Sequence, residues 1–486
     1  MDQAPTAPAD AAALLRSRQY MTLVAFAGII GAPVSVAIFG FLKLVTLSQG
    51  WLFSGVPRAV GLHGEPVWWP VPPLVLGGVV AALAIRYLPG KGGHSPADGF
   101  RAAGVPVPVE LPGIFLAALA TLAFGAVLGP EAPSIALGGG LAVCALRLAK
   151  RGTPGRATTV IAAAGSFAAV STLFGSPLIG AFLLMEASGL GGATLAITLL
   201  PGLLAAGIGA LIFTGLGTWT GFGTFSLAIP QLPHFGRPDA AEFGWALAVG
   251  VAAAVAGTGI RQLGLFLRPH VERRLLLTLP AAGLAVAGLA VAYAEGTGKS
   301  TSEVLFSGQT AVGPLVDHAA GYTVGALALL LACKGLAYGV SLSGFRGGPV
   351  FPALFIGAAG GILLSHLPGL PLVPAVAMGI GAMCATMLRL PLTSVMLATL
   401  LIFSDGLAAM PVVIVAVVVA HLVSARLAPV PEREPAAAER AAAAPPPEPT
   451  MAAASPRAGG APHPGGRNGV IEPDPAASGR RRRWVW

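Results

Sequence analysis

Long stretches of apolar residues follow one another from residue 20 to residue 427 of this chain. Those at about 20–47, 192–216 and 240–267 are long enough to cross a bilayer, because a helix needs about 20 apolar residues to span the hydrocarbon core. Others, such as 177–189, are too short to span alone. Backbone polar groups cannot bond to water in hydrocarbon, so these segments must be helices. Since only 10% of the residues are charged, the sequence predicts an all-α polytopic membrane protein and excludes a soluble one.

The composition divides the chain into three parts. Residues 1–18 are expected to be a cytoplasmic N-terminal lead. Residues 19–427 are expected to form one transmembrane domain, whose repeat halves are about 19–216 and 240–427. Residues 428–486 are rich in Pro, Ala and Arg and too poor in apolar residues to form a core, which predicts a disordered cytoplasmic tail.

The net charge of +9 is concentrated in the end segments and in loops. Basic residues accumulate on the cytoplasmic side of membrane proteins, so this distribution is typical of a polytopic protein and not of a nucleic-acid-binding one. Both termini are therefore expected to be cytoplasmic, in a bacterial-type plasma membrane. The arginines that support this prediction are Arg16, Arg18, Arg426, Arg433 and Arg480 to Arg483.

The stretch GAVLGPEAP (125–133) places an acid inside an apolar region. An ionised carboxylate is costly in hydrocarbon, so acids in membrane segments usually mark ion or proton paths. Gly129 and the two prolines disfavour a continuous helix, whereas Pro133 suits the first position of a new one. The stretch predicts a helix N-terminus near Pro133, whose free N–H groups and positive dipole end suit an anion. Glu131 is then either a simple cap or a gate that competes with a permeant anion.

The pattern GPxxP occurs twice, as GPEAP (129–133) and as GPVFP (348–352). A Pro-Leu pair that opens an apolar run follows each copy, at Pro177 and at Pro391. Two motifs in the same order and at nearly equal separations indicate an internal duplication. Paired helix breaks in two halves are typical of transporters with inverted repeats and a site near the bilayer midplane. We therefore predict that both helix starts point at one common site.

Two other breaks could contribute to this site. In GGHSP (92–96), His94 and Ser95 can donate hydrogen bonds to an anion. A lone histidine is more often structural, so His94 by itself is a weak indication. The segment GFRGGPVFP offers the backbone N–H groups of Val350 and Phe351 at the start of a helix.

Taken together, these motifs resemble those of the CLC family of chloride channels and proton-coupled chloride transporters. That family carries G-x-E-G-P with a gating glutamate, which GPEAP matches with Ala132 in place of the glycine. Its G-S-G-x-P resembles GGHSP, and its G-x-F-x-P resembles GPVFP with the aromatic residue shifted by one. The segments FGSPLIGAFLLME and LRLPLTSVML are also similar, so that the resemblance covers about residues 20–427. It implies a CLC-like inverted repeat of two helical halves with broken, partly spanning helices.

The resemblance also implies a homodimer with one anion pore per subunit. The expected partners are chloride or another small anion, protons if transport is coupled to them, and the lipid bilayer; no cofactor and no metal is expected. Glu131 and Glu186 are the candidates for gating or proton transfer. The expected anion-binding residues are Gly93, His94, Ser95, Pro96, Gly129, Pro130, Ala132, Gly348, Val350 and Phe351.

Three departures from the family's pattern bear on the mechanism. Gly93 falls where the family has its pore serine, so a neighbouring residue would have to substitute. The transporters' inner proton-transfer glutamate falls at Ala187, directly after Glu186, which is either a proton carrier or a residue near a helix end. No tyrosine follows Leu427, although the family's pore tyrosine follows the last membrane helix. A channel, a differently wired exchanger and a relative of the fluoride-exporting subgroup all stay open.

Other classes of function match the sequence poorly. A membrane-embedded enzyme would need His, Asp or Cys side chains gathered at one cavity, and the apolar segments lack such a cluster. Cys144, Cys333 and Cys384 lie in separate apolar runs, as expected for packing and not for disulfides or metal ligands. A scaffold without transport does not explain an acid between helix breakers at membrane depth. The sequence therefore predicts a non-enzymatic protein that passes chloride or a similar anion under the control of Glu131.

Overall fold

The structure, a computed structural model, describes residues 15–62, 65–100, 107–149, 155–189, 192–221, 235–236, 238–402 and 406–428. Most of the predicted N-terminal lead and nearly all of the predicted tail lie outside the described residues. The first part of the chain forms α1 (Arg18–Gly50), α2 (Val71–Tyr87), α3 (Leu111–Ala123), α4 (Glu131–Ala149), α5 (Gly155–Phe174), α6 (Pro177–Ser188) and α7 (Gly192–Thr220). The second part forms α8 (Ala240–Arg273), α9 (Leu275–Thr297), α10 (Val324–Leu342), α11 (Val350–Ser365), α12 (Leu372–Leu388), α13 (Pro391–Leu401) and α14 (Gly406–Leu427).

Short helical segments connect some of these helices. A π-helical turn at Trp51–Gly55 and a short α-helix at Val56–Ala59 continue α1, and a six-residue helix lies at Val312–Asp317. The remaining short segments are 3-10 turns, at Pro89–Gly92, Pro96–Asp98, Pro108–Glu110, Thr301–Glu303 and Ala319–Gly321.

The lengths of the helices confirm the predicted fold class. Among the residues described, 8 helices are long and apolar enough to cross a membrane. Others are apolar but only 10–17 residues long, including α6, α11 and α13. Such short helices cannot span a bilayer alone. The chain is therefore an all-α integral membrane protein with broken, partly spanning helices.

Side chains placed just before the helices explain where several of them begin. The Ser17 hydroxyl accepts a hydrogen bond from Tyr20 N at 3.1 Å, and the Thr323 hydroxyl accepts one from Ala326 N at 3.2 Å. Asp239 and Glu242 form a reciprocal capping box at the start of α8. Each satisfies an N–H group that has no partner inside its own helix, which matters most where water is scarce.

Small residues bring the helices of each half into close contact. A methyl group added at Gly357 of α11 would lie 2.4 Å from the carbonyl oxygen of Gly379, and one at Gly361 would lie 2.4 Å from that of Ala375. These contacts also show that α11 and α12 are antiparallel. In the first half, a methyl group at Gly165 would lie 2.3 Å from the carbonyl oxygen of Gly138. Such backbone contact is the usual basis of helix association in lipid, where burial of apolar surface gives no driving force.

Candidate functional site

The two helices that follow the GPxxP motifs begin earlier than predicted. The sequence predicted that these helices start near Pro133 and Pro352. In the structure α4 begins at Glu131 and α11 at Val350, two residues earlier in each case. Proline is tolerated anywhere in the first turn, because the N–H group that it lacks would have no intrahelical partner there. The correction matters because it makes Glu131 a residue of the helix and not of the preceding loop.

The residues just before these helix starts are bonded to each other. Gly129 N donates to Gly348 O at 2.8 Å, and Gly348 N donates to Gly129 O at 2.6 Å, as an isolated antiparallel bridge. The starts of α4 and α11 therefore lie side by side, one from each half of the chain. The prediction that both helix starts point at one common site is confirmed.

The Glu131 side chain lies at this junction and is fully buried, with 0% of its surface exposed. Its Oε1 atom accepts a hydrogen bond from Phe351 N at 2.7 Å, across the junction. We expected the carboxylate to lie on the N-terminus of its own helix, but the hydrogen bond to Oε1 comes from the helix of the other half. The N–H groups of Val350 and of Glu131 itself also lie near the carboxylate.

The glycine pair leaves just enough room for this carboxylate. A methyl group added at Gly348 would lie 1.8 Å from Glu131 Oε2, and one added at Gly129 would lie 2.3 Å from both carboxylate oxygens. The N–H groups of both glycines are already used in the bridge. Among the predicted anion-binding residues, Gly129 and Gly348 thus provide space, whereas Val350 and Phe351 provide N–H groups.

Two buried polar atoms near this junction are left without partners. Glu131 Oε2 and the hydroxyl of Ser134, which lies one turn along α4, make no hydrogen bond within the described part of the chain. The Ser134 backbone N–H donates to Pro130 O at 2.9 Å. Unsatisfied polar atoms in a buried site commonly mark the place of a water or an ion. The junction, with two helix N-termini and their positive dipole ends, suits an anion.

Aromatic side chains pack at the start of α11, and the sequence analysis did not single out Tyr338 among them. The ring of Phe351 stacks on that of Phe174, with 5.3 Å between centroids. The hydroxyl of Tyr338, also fully buried, donates to Pro349 O at 2.9 Å. Tyr338 is therefore a buried hydroxyl next to the start of α11, in a chain that has no tyrosine after Leu427. Nothing in its local sequence distinguishes it from an ordinary core tyrosine.

The break GGHSP lies beside this junction and is not bonded to it. Ser95 is buried, its hydroxyl has no partner among the residues described, and His94 is exposed. A methyl group at Gly92 would lie 3.2 Å from the Arg346 side chain, whose Nε donates to Lys91 O at 3.3 Å. No hydrogen bond between described residues joins segment 92–96 to Glu131. The structure thus brings Gly129, Val350 and Phe351 together with Glu131, whereas the GGHSP segment meets the chain at Arg346, next to Gly92.

The second candidate acid, Glu186, caps a helix. Its carboxylate accepts hydrogen bonds from Leu392 N at 3.0 Å, from Thr393 N at 2.7 Å and from the Thr393 hydroxyl at 2.6 Å. These are N–H groups in the first turn of α13, which have no intrahelical partner. Of the two possibilities that the sequence left open, this geometry supports a residue near a helix end that stabilises another helix.

Lys334 is a buried charge that the sequence analysis overlooked. Its side chain is 0% exposed, and its ammonium group donates to the carbonyl oxygens of Glu303, Val304 and Leu305 at 2.9–3.1 Å. Phe306 N, in the same loop, donates to Gly125 O at 3.1 Å. Lys334 thus holds the loop that supports the start of GAVLGPEAP. The rule that selects Glu131, a charge inside an apolar segment, would also have selected Lys334.

The carboxylate of Glu303 completes this cluster. It accepts hydrogen bonds from the hydroxyls of Tyr293 and Tyr322, the latter at 3.0 Å. The ammonium group of Lys334 also lies 4.3 Å from the centroid of the Phe355 ring, one turn after Phe351. Within the described part of the chain, no three or more His, Cys, Asp or Glu residues lie together in a way that could hold a metal ion.

Comparison with known proteins places this geometry in a wider context. Residues 77–425 match the family described as "Voltage gated chloride channel". The chain is 31% identical over 356 residues to the "Putative ion-transport protein YfeO" of Salmonella schwarzengrund (strain CVM19633), which covers 71% of this chain and 81% of that protein. The protein of the same name from Salmonella choleraesuis (strain SC-B67) is 32% identical over 355 residues, with the same shares covered.

Solved structures with similar folds have low sequence identity to this chain. A slow cyanobacterial Cl⁻/H⁺ antiporter superposes with a TM-score of 0.68 and 18% identity, covering 83% of this chain and 94% of the antiporter. A CLC-type fluoride/proton antiporter gives a TM-score of 0.62 and 20% identity, with 83% and 95% covered. A eukaryotic CLC transporter gives a TM-score of 0.63 and 16% identity, with 85% and 73% covered. At these identities the likeness shows the fold.

Proposed function

This chain belongs to the voltage-gated chloride channel (CLC) family of ion-transport proteins, and on that premise we propose that Glu131 gates the passage of chloride or a similar small anion. One observation carries the proposal. The Glu131 carboxylate lies at the junction of two helix N-termini and accepts the Phe351 N–H group, and therefore occupies a place that suits a permeant anion.

The proposed mechanism is competition between the carboxylate and the anion. While ionised, Glu131 holds the junction through a charge-assisted hydrogen bond, and a second negative charge is excluded by repulsion. Binding of a proton removes the charge and weakens the bond to Phe351 N. The side chain then leaves, and Val350 and Phe351 offer their N–H groups to the anion. Ser134, one turn along α4, has a buried hydroxyl without a partner among the described residues, and the Tyr338 hydroxyl is bonded to Pro349 O just before α11.

A second candidate is proton-coupled export of fluoride. Two features of the sequence favour fluoride export. Gly93 stands at the position of the family's pore serine, and residues 428–486 contain no tyrosine. The fluoride-exporting subgroup also departs from the family's pattern at these two places. In this version, the proton that releases Glu131 is carried across the membrane, and the anion moves in the opposite direction.

The assembly and its orientation complete the proposal. Resemblance to the family supports a homodimer with one pore in each subunit. The excess of arginines near both ends of the chain supports cytoplasmic termini in a bacterial-type plasma membrane. The orientation is tested with a cysteine placed at residue 440 and a membrane-impermeant thiol reagent added outside intact cells. Labelling of this cysteine would contradict a cytoplasmic C-terminus.

The function is tested by flux from proteoliposomes that contain the purified full chain, with anion and proton movement recorded together. Chloride and fluoride are compared at neutral and acidic external pH. We expect acid to raise anion flux in the wild type. Glu131→Gln is nearly isosteric and permanently neutral, so it should keep anion flux, lose most of the pH dependence and abolish coupled proton movement.

Three outcomes distinguish the candidates. Anion flux without proton movement indicates a channel, coupled chloride movement an exchanger, and coupled movement of fluoride alone the second candidate. Glu186→Gln is the matched control, since it neutralises an acid that caps a helix away from the junction. A folded Glu131→Gln protein with wild-type pH dependence would rule out gating by Glu131.

A further inference from the structure

Three polar side chains form a buried stripe along one face of α10. Lys334, Tyr338 and Ser341 follow one another at spacings of four and three residues, which places them on the same side of a helix. All three are 0% exposed, and the rest of α10 consists of Gly, Ala, Val, Leu and one Cys. Buried polar groups need partners, because an unmade hydrogen bond is costly there. The partners of this stripe lie in the two GPxxP regions.

Ser341 bonds to the first of these regions. Its hydroxyl accepts a hydrogen bond from Val127 N at 3.1 Å and donates to Ala337 O at 2.8 Å. A serine hydroxyl can donate and accept at once, so the two bonds are compatible. Val127 is itself 0% exposed and lies two residues before Gly129 of the bridge. Ser341 therefore holds the segment that leads directly to Glu131.

Tyr338 bonds to the second region. Its hydroxyl donates to Pro349 O at 2.9 Å, and Pro349 lies between Gly348 of the bridge and Val350, the first residue of α11. Within one turn, α10 is thus bonded to the chain just before both helix starts. The position of the Phe351 N–H group relative to Glu131 is fixed by reference to a single helix.

Lys334, the third member, also contacts both sides. Its ammonium group is bonded to carbonyl oxygens of loop 303–305, and the next residue of that loop, Phe306, donates its N–H group to Gly125 O at the start of the first region. The same ammonium group lies 4.3 Å from the centroid of the Phe355 ring, on α11. All three side chains of the stripe therefore connect α10 to the elements that meet at the junction.

We propose that the α10 stripe is the positioning element of the gate, and that it sets the pH at which anion flux begins. The proposal rests on gating by Glu131. The ionised carboxylate is held by Phe351 N at 2.7 Å, and such a bond weakens steeply when its geometry changes. Loosening either region disfavours the closed, ionised form relative to the open one. Glu131 then binds its proton at a higher pH, and flux rises at a higher pH.

The other titratable groups near the carboxylate do not obscure this effect. The titratable side chains that face Glu131 are Tyr338 of α10 and Cys384 of α12. A buried phenol or thiol stays neutral near pH 7, because burial disfavours its charged form. The acid that faces Lys334 is Glu303. Glu131 is therefore the group whose protonation the pH profile of flux reports.

Two small deletions test the stripe. Ser341→Ala removes the acceptor of Val127 N, and Tyr338→Phe removes the donor to Pro349 O. Loss of one neutral hydrogen bond corresponds to about a 3- to 10-fold change in an equilibrium. We expect each variant to raise the pH of half-maximal anion flux from proteoliposomes by about 0.5–1 unit. In a Glu131→Gln background, neither substitution should change the flux further.

Each deletion has a matched control in the same chain. The buried hydroxyl of Ser394 on α13 donates to Leu390 O at 2.7 Å, so Ser394→Ala removes the same kind of bond within a helix that Ser341→Ala removes. The Tyr20 hydroxyl on α1 donates to Ile197 O at 3.0 Å, so Tyr20→Phe removes a tyrosine–carbonyl bond between two other helices. Both controls should keep the wild-type pH profile.

Hydrogen–deuterium exchange of the purified full chain provides a readout that does not depend on gating. Ser341→Ala should speed exchange of the peptide that covers 125–131, because Val127 N loses its acceptor, whereas Ser394→Ala should not. Unchanged exchange would overturn the anchoring, and an unchanged half-maximal pH in both test variants would overturn the effect on the gate. If acid-stimulated flux survives Glu131→Gln, gating itself fails, and the exchange data still decide whether α10 holds the junction. Elution volume and unfolding midpoint identify any misfolded variant.

Discussion

Addition of one methyl group at Gly348 tests the closed position of Glu131 without changing any charge. In Gly348→Ala, the new methyl group would lie 1.8 Å from Glu131 Oε2. Ordinary contact needs about 3.5 Å, so the carboxylate must withdraw by about 1.5–2 Å. The glycine backbone is in a region open to alanine. The overlap at 1.8 Å is with the end of a flexible side chain, whereas the nearest backbone atom, Ala132 N, lies at a tight 3.0 Å. The carboxylate therefore gives way before the backbone does.

Phe351 N donates to the other oxygen, Oε1, at 2.7 Å. The added methyl group would also lie 2.8 Å from the carboxylate carbon, so the whole carboxylate must move and Oε1 is drawn away from Phe351 N. A hydrogen bond to a charged group contributes about 1.5–3 kcal/mol, so occupancy of the closed position should fall by about 10- to 150-fold relative to the open one. We expect Gly348→Ala to conduct anions at neutral pH at a rate near that of the acid-stimulated wild type, and to respond weakly to acid. Chloride efflux from proteoliposomes at neutral and acidic pH measures both quantities.

Two controls separate this effect from others. Gly360→Ala changes the same helix at a position where the new methyl group meets no atom within 4 Å, and should behave as the wild type. In a Glu131→Ala background there is no carboxylate to displace, so Gly348→Ala should have no further effect on flux. The reasoning is refuted if Gly348→Ala keeps wild-type pH dependence, or if it changes flux equally in the presence and absence of the Glu131 carboxylate.

Three further predictions concern other parts of the chain. Glu186→Gln loses at least one of the bonds to Leu392 N and Thr393 N, so it should lower the free energy of unfolding by about 1.5–3 kcal/mol while the pH dependence of flux is kept; thermal unfolding in detergent measures the first, and a lost pH dependence would contradict the cap. Lys334→Met leaves the carbonyl groups of loop 303–306 without their donor at a cost of about 1–3 kcal/mol or more, and an unchanged unfolding midpoint would count against the role of Lys334. Truncation after Leu427 should leave flux and dimerisation intact, because the composition of the tail cannot support a core; a truncated protein that no longer transports would disprove this.

Local sequence patterns were sufficient to predict the elements of the site. The helix-breaking residues around Glu131 and the second GPxxP motif predicted two helix starts at one place, and the Gly129–Gly348 bridge confirms it. They could not predict which helix donates to the carboxylate. That depends on the register between two halves that are far apart in the chain, and a shift of one residue would present a different N–H group to Glu131.

Other features depend on partners that no local pattern reveals. Lys334 is visible as a charge in an apolar helix, but its partners are carbonyl groups, and every residue type carries one. The role of Glu186 depends on the packing of α6 against α13. The segment GGHSP interrupts the helices, as predicted, yet its position next to Arg346 is set by the helices that carry the two segments. Sequence thus predicts which residues are unusual better than it predicts what they contact.

The reciprocal hydrogen bonds between Gly129 and Gly348 also bear on how such a chain could have evolved from two identical halves. Two identical half-length chains related by a twofold axis would make this contact with each other, because each residue meets its own equivalent. Any acid at the helix start would then be present twice, and two carboxylates so close cannot both ionise. In the fused chain, the position equivalent to Glu131 is Val350. Fusion of the halves thus permits broken symmetry, in which a single titrating charge stands at a place where an ancestral dimer could hold only a pair.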